Sequence, residues 1–142
     1  MELRTDKIRA CFDRKIGNFT ELWNLSTNTN YVRCAPRDPL IELYGLKNGE
    51  RVKLSGHISD VAEAPDALIL SYDSFGEYDV SAKVTCRCEQ DRLVFSAEIC
   101  NHSTIDVTEI LMPHLGGIYL GNGQKDYLIY PHHAGDKTED PV

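Results

Sequence analysis

The clearest pattern in the chain is the alternation of apolar and polar positions over residues 80–88 and 92–101. In the first run Val80, Ala82 and Val84 alternate with polar residues, and in the second Phe95, Ala97 and Ile99 do the same. Strict alternation of this kind is typical of a strand with one buried face. The two runs therefore predict a long antiparallel hairpin with its turn at residues 89–91.

Shorter alternating runs divide the rest of the chain into further strands. One hairpin is predicted over residues 7–13 and 19–23, with Gly17 taking a positive φ at the turn. A second pair is predicted around the turn at residues 47–50. This pair covers residues 40–46 and 51–58, and single strands are predicted at residues 31–33, 68–73, 106–112, 117–120 and 126–130. Residues 24–30 and 60–66 are predicted to be loops.

No window of the sequence carries a sustained helical period with capping residues. Roughly nine or ten short strands joined by Gly, Asn and Asp turns are typical of an all-β domain. We predict an antiparallel β-sandwich over residues 1–135. A polar tail follows at residues 136–142, and it would lead into any downstream domain.

The composition restricts the classes of partner. The length of 142 residues favours one domain with its own core. With 15 Lys and Arg scattered among 22 Asp and Glu, the net charge is −7, so nucleic acid and anionic membranes are not expected as partners. No apolar run approaches the roughly 20 residues of a membrane-spanning helix. The sequence shows no secretory leader, so we expect a cytoplasmic location.

The cysteines and histidines do not suggest a metal site or a cofactor. An odd number of cysteines, five, without a CxxC spacing argues against a disulfide framework. Cys86 and Cys88 share one face of a predicted strand and are best interpreted as small buried apolar residues. His132 and His133 are adjacent, which is a poor spacing for binding one ion. We therefore expect no metal and no cofactor.

Residues suited to chemistry are concentrated in residues 108–135. This segment holds three of the five histidines, five of the ten glycines and three of the seven tyrosines. Pro131 ends the last predicted strand here, so the residues after it lie in a loop. The segment is where we expect a ligand to bind.

The candidate binding residues are Tyr130, His132 and His133, with His114 and Trp23 as secondary candidates. Aromatic rings and imidazoles at a strand end can stack on the C–H face of a sugar and bond its hydroxyls. The competing interpretation is that Tyr130 packs in the core and the histidines are ordinary loop residues.

Three strings carry a resemblance to a known family. IRACFDRKIGNFTELWN at residues 8–24, EICNHSTIDVTEILMPHLGGIYLG at residues 98–121 and DYLIYPHHAG at residues 126–135 resemble the amino-terminal galactose-mutarotase-like β-supersandwich of an uncharacterised family of glycoside hydrolases. In that family the sandwich precedes a catalytic (β/α)-barrel. Fewer strands are predicted here than the supersandwich usually has, so the chain is either a truncated copy or a smaller sandwich.

The resemblance implies a non-catalytic accessory domain that is structural or contacts carbohydrate. The catalytic carboxylates would lie in a separate barrel, so this chain alone is not expected to be an enzyme. The implied partners are a carbohydrate and either a downstream catalytic domain or a second copy of the chain.

Two alternatives remain open. A sugar mutarotase or epimerase would need an acid and a base, which could be His114 or His132 as the acid and Glu98 or Glu109 as the base. A pure interaction module would instead dock a partner through an exposed apolar patch. The candidate residues for such a patch are Leu111, Leu115, Ile118 and Leu120.

Overall fold

The computed structural model describes residues 1–119, 127–130 and 136–139. Within these ranges the chain forms antiparallel strands and no helix. The strands are β1 (Glu2–Arg4), β2 (Ile8–Phe12), β3 (Phe19–Asn24), β4 (Thr29–Asn30), β5 (Glu42–Lys47), β6 (Glu50–Leu54), β7 (Asp60–Glu63), β8 (Ala67–Tyr72), β9 (Val80–Glu89), β10 (Arg92–Asn101), β11 (Asp106–Leu111), β12 (Tyr127–Tyr130) and β13 (Asp136–Glu139).

The described strands are organised in three sheets of three or four strands and one two-stranded ribbon. The orders are β1-β2-β3-β4, β10-β9-β8-β7, β11-β5-β6 and β12-β13. Neighbours in sequence usually pair, and β5 is the exception because it also pairs with the distant β11. This arrangement confirms the predicted all-β, antiparallel fold class and is consistent with a β-sandwich.

The core follows from the alternation along β8 and β9. Leu68, Leu70 and Tyr72 of β8 lie opposite Cys86, Val84 and Ala82 of β9 in register. All six side chains are buried, because residues two apart on neighbouring strands point to the same face of the sheet. The apolar face that the sequence pattern predicts for β9 is thus the inner face of this sheet.

Aromatic rings connect the first sheet to this core. The ring of Phe19 on β3 lies 4.8 Å from that of Phe12 on β2, and 6.1 Å from that of Phe95 on β10 in an edge-to-face arrangement. Leu43 and Leu54 extend the same cluster into the three-stranded sheet. The interior is therefore shared by the three larger sheets.

Several predicted elements are confirmed. The long hairpin occurs as β9 and β10, and β10 has the predicted bounds. Gly17 has φ +71° at the end of the first turn, and Asn48 and Gly49 have φ +55° and +83° in the second. The latter two values correspond to a type I′ turn, which matches the twist of a hairpin.

Other elements differ from the prediction. Asp60–Glu63 and Thr29–Asn30 are strands rather than loops, and Asp136–Glu139, within the predicted polar tail, is also a strand. Each is two to four residues long and too short to show a period. The first two pair with longer strands, and Asp136–Glu139 pairs with the equally short β12. The predicted strands at residues 31–33 and 117–120 reduce to one bridge between Val32 and Ile118, and Leu120 lies outside the described residues.

The side chain of Asn18 connects three segments that are distant in sequence through hydrogen bonds. Its side chain is 1 % exposed, and Nδ2 donates to the carbonyl oxygens of Asp38 at 2.9 Å and His114 at 2.8 Å. Oδ1 accepts from the backbone N–H of Phe19 at 2.8 Å. The N–H of Phe19 is buried and the two carbonyl bonds are partly buried, so losing the amide would remove a partner that water replaces only in part.

We expect Asn18→Ala to lower the free energy of unfolding by about 2–4 kcal/mol, because one buried N–H and two partly buried carbonyl groups lose their partner. Urea unfolding followed by tryptophan fluorescence measures this. Asn101→Ala is the matched control, since Asn101 is exposed and bonds only within its own loop. Equal destabilisation by the two variants would contradict the special role of Asn18.

Candidate functional site

The predicted binding residues do not form one described cluster. Tyr130 is the last residue of β12, where its backbone pairs with Asp136 of β13. His132 and His133 lie outside the described residues, so their prediction is not tested. Trp23 and His114 have described side chains, and they line two different features of the molecule.

Trp23 lines an apolar cleft of about 510 Å³ between the first sheet and the start of β10. Tyr31, Phe19 and Phe95 also line it, together with Leu22 and Leu93. The indole Nε1 of Trp23 donates to Oε2 of Glu21 at 2.8 Å, which holds the edge of the ring in place. A cleft lined by aromatic rings is typical of a site for a ligand with an apolar face.

The rim of this cleft is polar. Nζ of Lys7 lies 3.3 Å from Oδ2 of Asp91, so a charged pair spans the ends of the two sheets at the rim. Asn24 and Arg92 are nearby on the same rim. Both charged partners are more than half exposed, so the pair contributes little to stability and is available to exchange its contacts with a ligand.

His114 lies beside a carboxylate that the sequence analysis did not select. Nδ1 of His114 is 3.5 Å from Oε1 of Glu42, without the geometry of a hydrogen bond to any described residue. The carboxylate of Glu42 is 4 % exposed. Oε1 also accepts from Nζ of Lys53, and Oε2 accepts from the hydroxyl of Tyr44 at 3.0 Å.

These partners hold Glu42 in its ionised form. Burial by itself would raise the pKa of the Glu42 carboxyl, but hydrogen bonds from Lys53 and Tyr44 and the neighbouring charges of Lys53 and His114 keep it below its ordinary value. The hydrogen bond to Glu42 correspondingly raises the pKa of Lys53. Glu42, Lys53 and Tyr44 thus form a hydrogen-bonded ionic cluster. Such a cluster stabilises the structure more readily than it exchanges a proton near neutral pH.

A second ion pair lies on the same sheet. Arg51 contacts Glu109 through two bonds, at 2.8 Å and 3.0 Å, and its guanidinium carbon lies 3.6 Å from the centre of the Tyr44 ring. Glu109, predicted as a catalytic base, is therefore engaged by Arg51. Glu98 is exposed on β10. In the described residues the carboxylate beside His114 is Glu42, not either predicted base.

Sequence reasoning missed Glu42, although a signal for it exists. Glu42 is a single acid within the otherwise apolar run of residues 40–46, and an acid in such a run needs a charged partner when it is buried. The partner Lys53 is eleven residues away, and only the pairing of β5 with β6 brings the two together. Tyr31 was likewise not selected, since it was predicted only as part of a strand at residues 31–33, whereas the structure places it outside any regular strand.

Cys86 and Cys88 have the burial expected of small apolar residues. All five cysteines are free, Cys86 is buried and Cys88 is half-buried. Burial raises the pKa of the Cys86 thiol to about 12, so it stays protonated. Across the part of the chain that is described, no three His, Cys, Asp or Glu side chains are placed to hold a metal ion.

Part of the predicted apolar patch is exposed. Leu111 and Leu115 are each 41 % exposed, and the adjacent Ile110 is 52 % exposed. Ile118 is half-buried by its bridge to Val32. The described residues also contain no helix long and apolar enough to cross a membrane.

Comparison with protein-family models, curated proteins and solved structures finds no match to this chain.

We expect Glu42→Gln to lower the free energy of unfolding at pH 7 by about 1–3 kcal/mol, because Lys53 loses a buried charged partner. Since the pKa of Glu42 is lowered in the folded state, its contribution is complete above the ordinary value of 4.5 and is lost as the pH falls through the lower folded-state value. The difference between variant and wild type should therefore shrink in acid. Urea unfolding from pH 7 to pH 3 measures it.

Glu109→Gln is the matched control for this prediction. Glu109 lies on the same sheet and is also ion-paired, but its side chain is 44 % exposed. Little change in stability is expected from it, since exposed pairs are screened by water. A Glu109→Gln variant as unstable as Glu42→Gln would show that burial of Glu42 is not the cause.

Proposed function

We propose that this chain is a non-catalytic β-sandwich module that contacts carbohydrate through the cleft at Trp23, as an accessory domain of a glycoside hydrolase. The observation that carries the proposal is that Trp23, a residue selected from sequence, lines an aromatic cleft of about 510 Å³ together with Tyr31 and Phe95. The accessory role and the hydrolase partner are supported by the family resemblance of residues 8–24, 98–121 and 126–135.

The chemistry of the cleft suits a sugar chain. A pyranose ring has an apolar C–H face that packs on an aromatic ring, and hydroxyls at its edge that need polar partners. The cleft supplies the first through Trp23 and Tyr31 and the second through the rim residues Lys7, Asn24 and Asp91. The volume exceeds what one ring needs, so an oligosaccharide is the expected ligand.

The charged groups support a binding role over a catalytic one. The carboxylate next to His114 is almost fully buried and already bonds Lys53 and Tyr44, and Glu109 is paired with Arg51. Ring opening of an aldose needs a base at the anomeric hydroxyl and an acid at the ring oxygen, both within reach of the substrate. Neither carboxylate has the free, accessible form that this reaction requires.

Trp23→Ala should weaken binding of a neutral oligosaccharide at least about tenfold, because stacking on an aromatic ring is lost. Isothermal calorimetry over a panel of β-linked and α-linked oligosaccharides measures it, and Tyr130→Ala/His132→Ala provides the corresponding test for residues 130–133. Tyr119→Ala is the matched control, since Tyr119 is an exposed aromatic that does not line the cleft. No saturable binding by the wild type would refute the carbohydrate proposal.

The proposal also predicts that the chain does not speed the interconversion of glucose or galactose anomers. Polarimetry on freshly dissolved α-anomers tests this, with buffer alone as the reference. A faster approach to equilibrium that Glu42→Gln or His114→Ala abolishes would instead establish the mutarotase alternative, for which the 3.5 Å approach of His114 to Glu42 is the favouring observation.

A further inference from the structure

A second cavity lies beside Glu42 and shares no lining residue with the cleft at Trp23. It has a volume of about 250 Å³. Buried residues Ile41, Leu54 and Tyr72 line it together with Glu42, and charged residues line it from the surface. The volume is below the range typical of pockets for drug-sized ligands, so it suits a ligand about the size of one sugar ring.

Tyr72 brings an unsatisfied polar group to this cavity. The residue is 2 % exposed, and its hydroxyl has no hydrogen-bond partner among the described residues. Buried hydroxyls nearly always have a partner, so this one is available to bond a water or a ligand oxygen. Burial raises the pKa of Tyr72 to about 12, so the hydroxyl stays protonated and can donate.

Two cations at the mouth of the cavity, Lys15 and Arg37, are not used elsewhere in the described part of the chain. The side chains of Lys15 and Arg37 make no hydrogen bond or ion pair within the described part of the chain, and both are exposed. Lys53 and His57 line the same cavity. Asp38 and Glu42 are the carboxylates in the lining, and Lys53 is paired with Glu42, so Lys15 and Arg37 are the cations that can bind a ligand. Two such cations on a protein with a net charge of −7 favour an anionic ligand over a neutral one.

The backbone under these cations is fixed. Oδ1 of Asp13 accepts from the N–H groups of Lys15 at 2.7 Å and Ile16 at 3.0 Å, which closes the turn that carries Lys15. The carbonyl of Asp38, next to Arg37, accepts from the buried amide of Asn18. The two cations therefore extend from positions that the fold determines, although their side chains are free to adapt.

We propose that this cavity binds a small polyhydroxylated anion, with the oxyanion at Lys15 and Arg37 and a hydroxyl oxygen beside Tyr72 and Glu42. The carboxylate of Glu42 determines the orientation of the ligand in the cavity. Its ionised carboxylate repels the charged end of the ligand but accepts from a hydroxyl, so the anion is held at the surface and the hydroxyl end at the floor. A sugar acid and a sugar phosphate both have this chemistry.

The test is calorimetric titration of the full chain with D-glucuronate, D-glucose 6-phosphate and neutral D-glucose. The wild type should bind at least one of the two anions saturably, and D-glucose at least about tenfold more weakly, because charged hydrogen bonds are the stronger ones. Tighter binding of one anion identifies carboxylate or phosphate as the recognised group. Absence of binding by both anions, or equal binding of D-glucose, would overturn the proposal.

Variants assign the binding to these residues. Lys15→Gln/Arg37→Gln should weaken anion binding at least about tenfold. Lys83→Gln/Arg87→Gln removes the same charge from exposed positions of β9 that do not line the cavity, and it should leave affinity within about twofold. Equal losses in both double variants would show that the binding is a general effect of charge and would overturn the site.

Tyr72→Phe tests the floor of the cavity. Removing a hydroxyl without a partner should not destabilise the fold, and it should weaken binding by about fivefold through loss of one hydrogen bond. Unchanged affinity would remove Tyr72 from the site. Trp23→Ala should keep anion binding intact, so failure of the carbohydrate cleft and failure of this cavity give different results.

Discussion

The constraint on which the smaller cavity depends is the buried amide of Asn18. One side chain satisfies carbonyl oxygens from two segments that lie 20 and 96 residues away. The first carries Asp38 and the wall of the smaller cavity, and the second carries His114 beside Glu42. A hydrophobic core brings sheets together without direction, whereas these hydrogen bonds set the position of two loops that have no strand pairing of their own. Asn18 also lies in a glycosylation sequon, and its burial leaves no room for a glycan in the folded chain.

Burial separates the ion pairs of this protein into two kinds. The pairs Lys7–Asp91 and Arg51–Glu109 are exposed at both ends, so water and salt screen them. The carboxylate of Glu42 is buried in the protein interior, and the fold would lose stability if this charge had no partner. The edge strand β6 provides Lys53 at this position because its register with β5 is set by the turn at residues 47–50.

The two cavities differ in the chemistry of their walls, and this difference separates their expected ligands. The cleft at Trp23 is mostly apolar and aromatic, and its charges lie at the rim in a mutually neutralised pair. The smaller cavity has the Tyr72 hydroxyl and the Glu42 carboxylate at its floor, and its cations Lys15 and Arg37 have no partner among the described residues. An uncharged sugar chain matches the first because it gains from stacking. A small anion matches the second because charge, rather than apolar area, supplies the attraction.

Alternation along the chain determined the fold class, since period-two burial is a local property of each strand. The predictions of the bounds of β10 and of the inner face of β9 were correct, as was the positive φ of Gly17, which follows from its place in a turn. Tertiary structure alone decided which residues meet. Glu42 and Lys53, or Trp23 and Phe95, belong to different strands, and their proximity depends on register and on the packing of sheets. Neither the register nor the packing of the sheets produces a periodic pattern in the sequence. The short strands β4, β7 and β13 also depend on tertiary structure, because they are strands through pairing with a neighbouring strand and not through a pattern of their own residues.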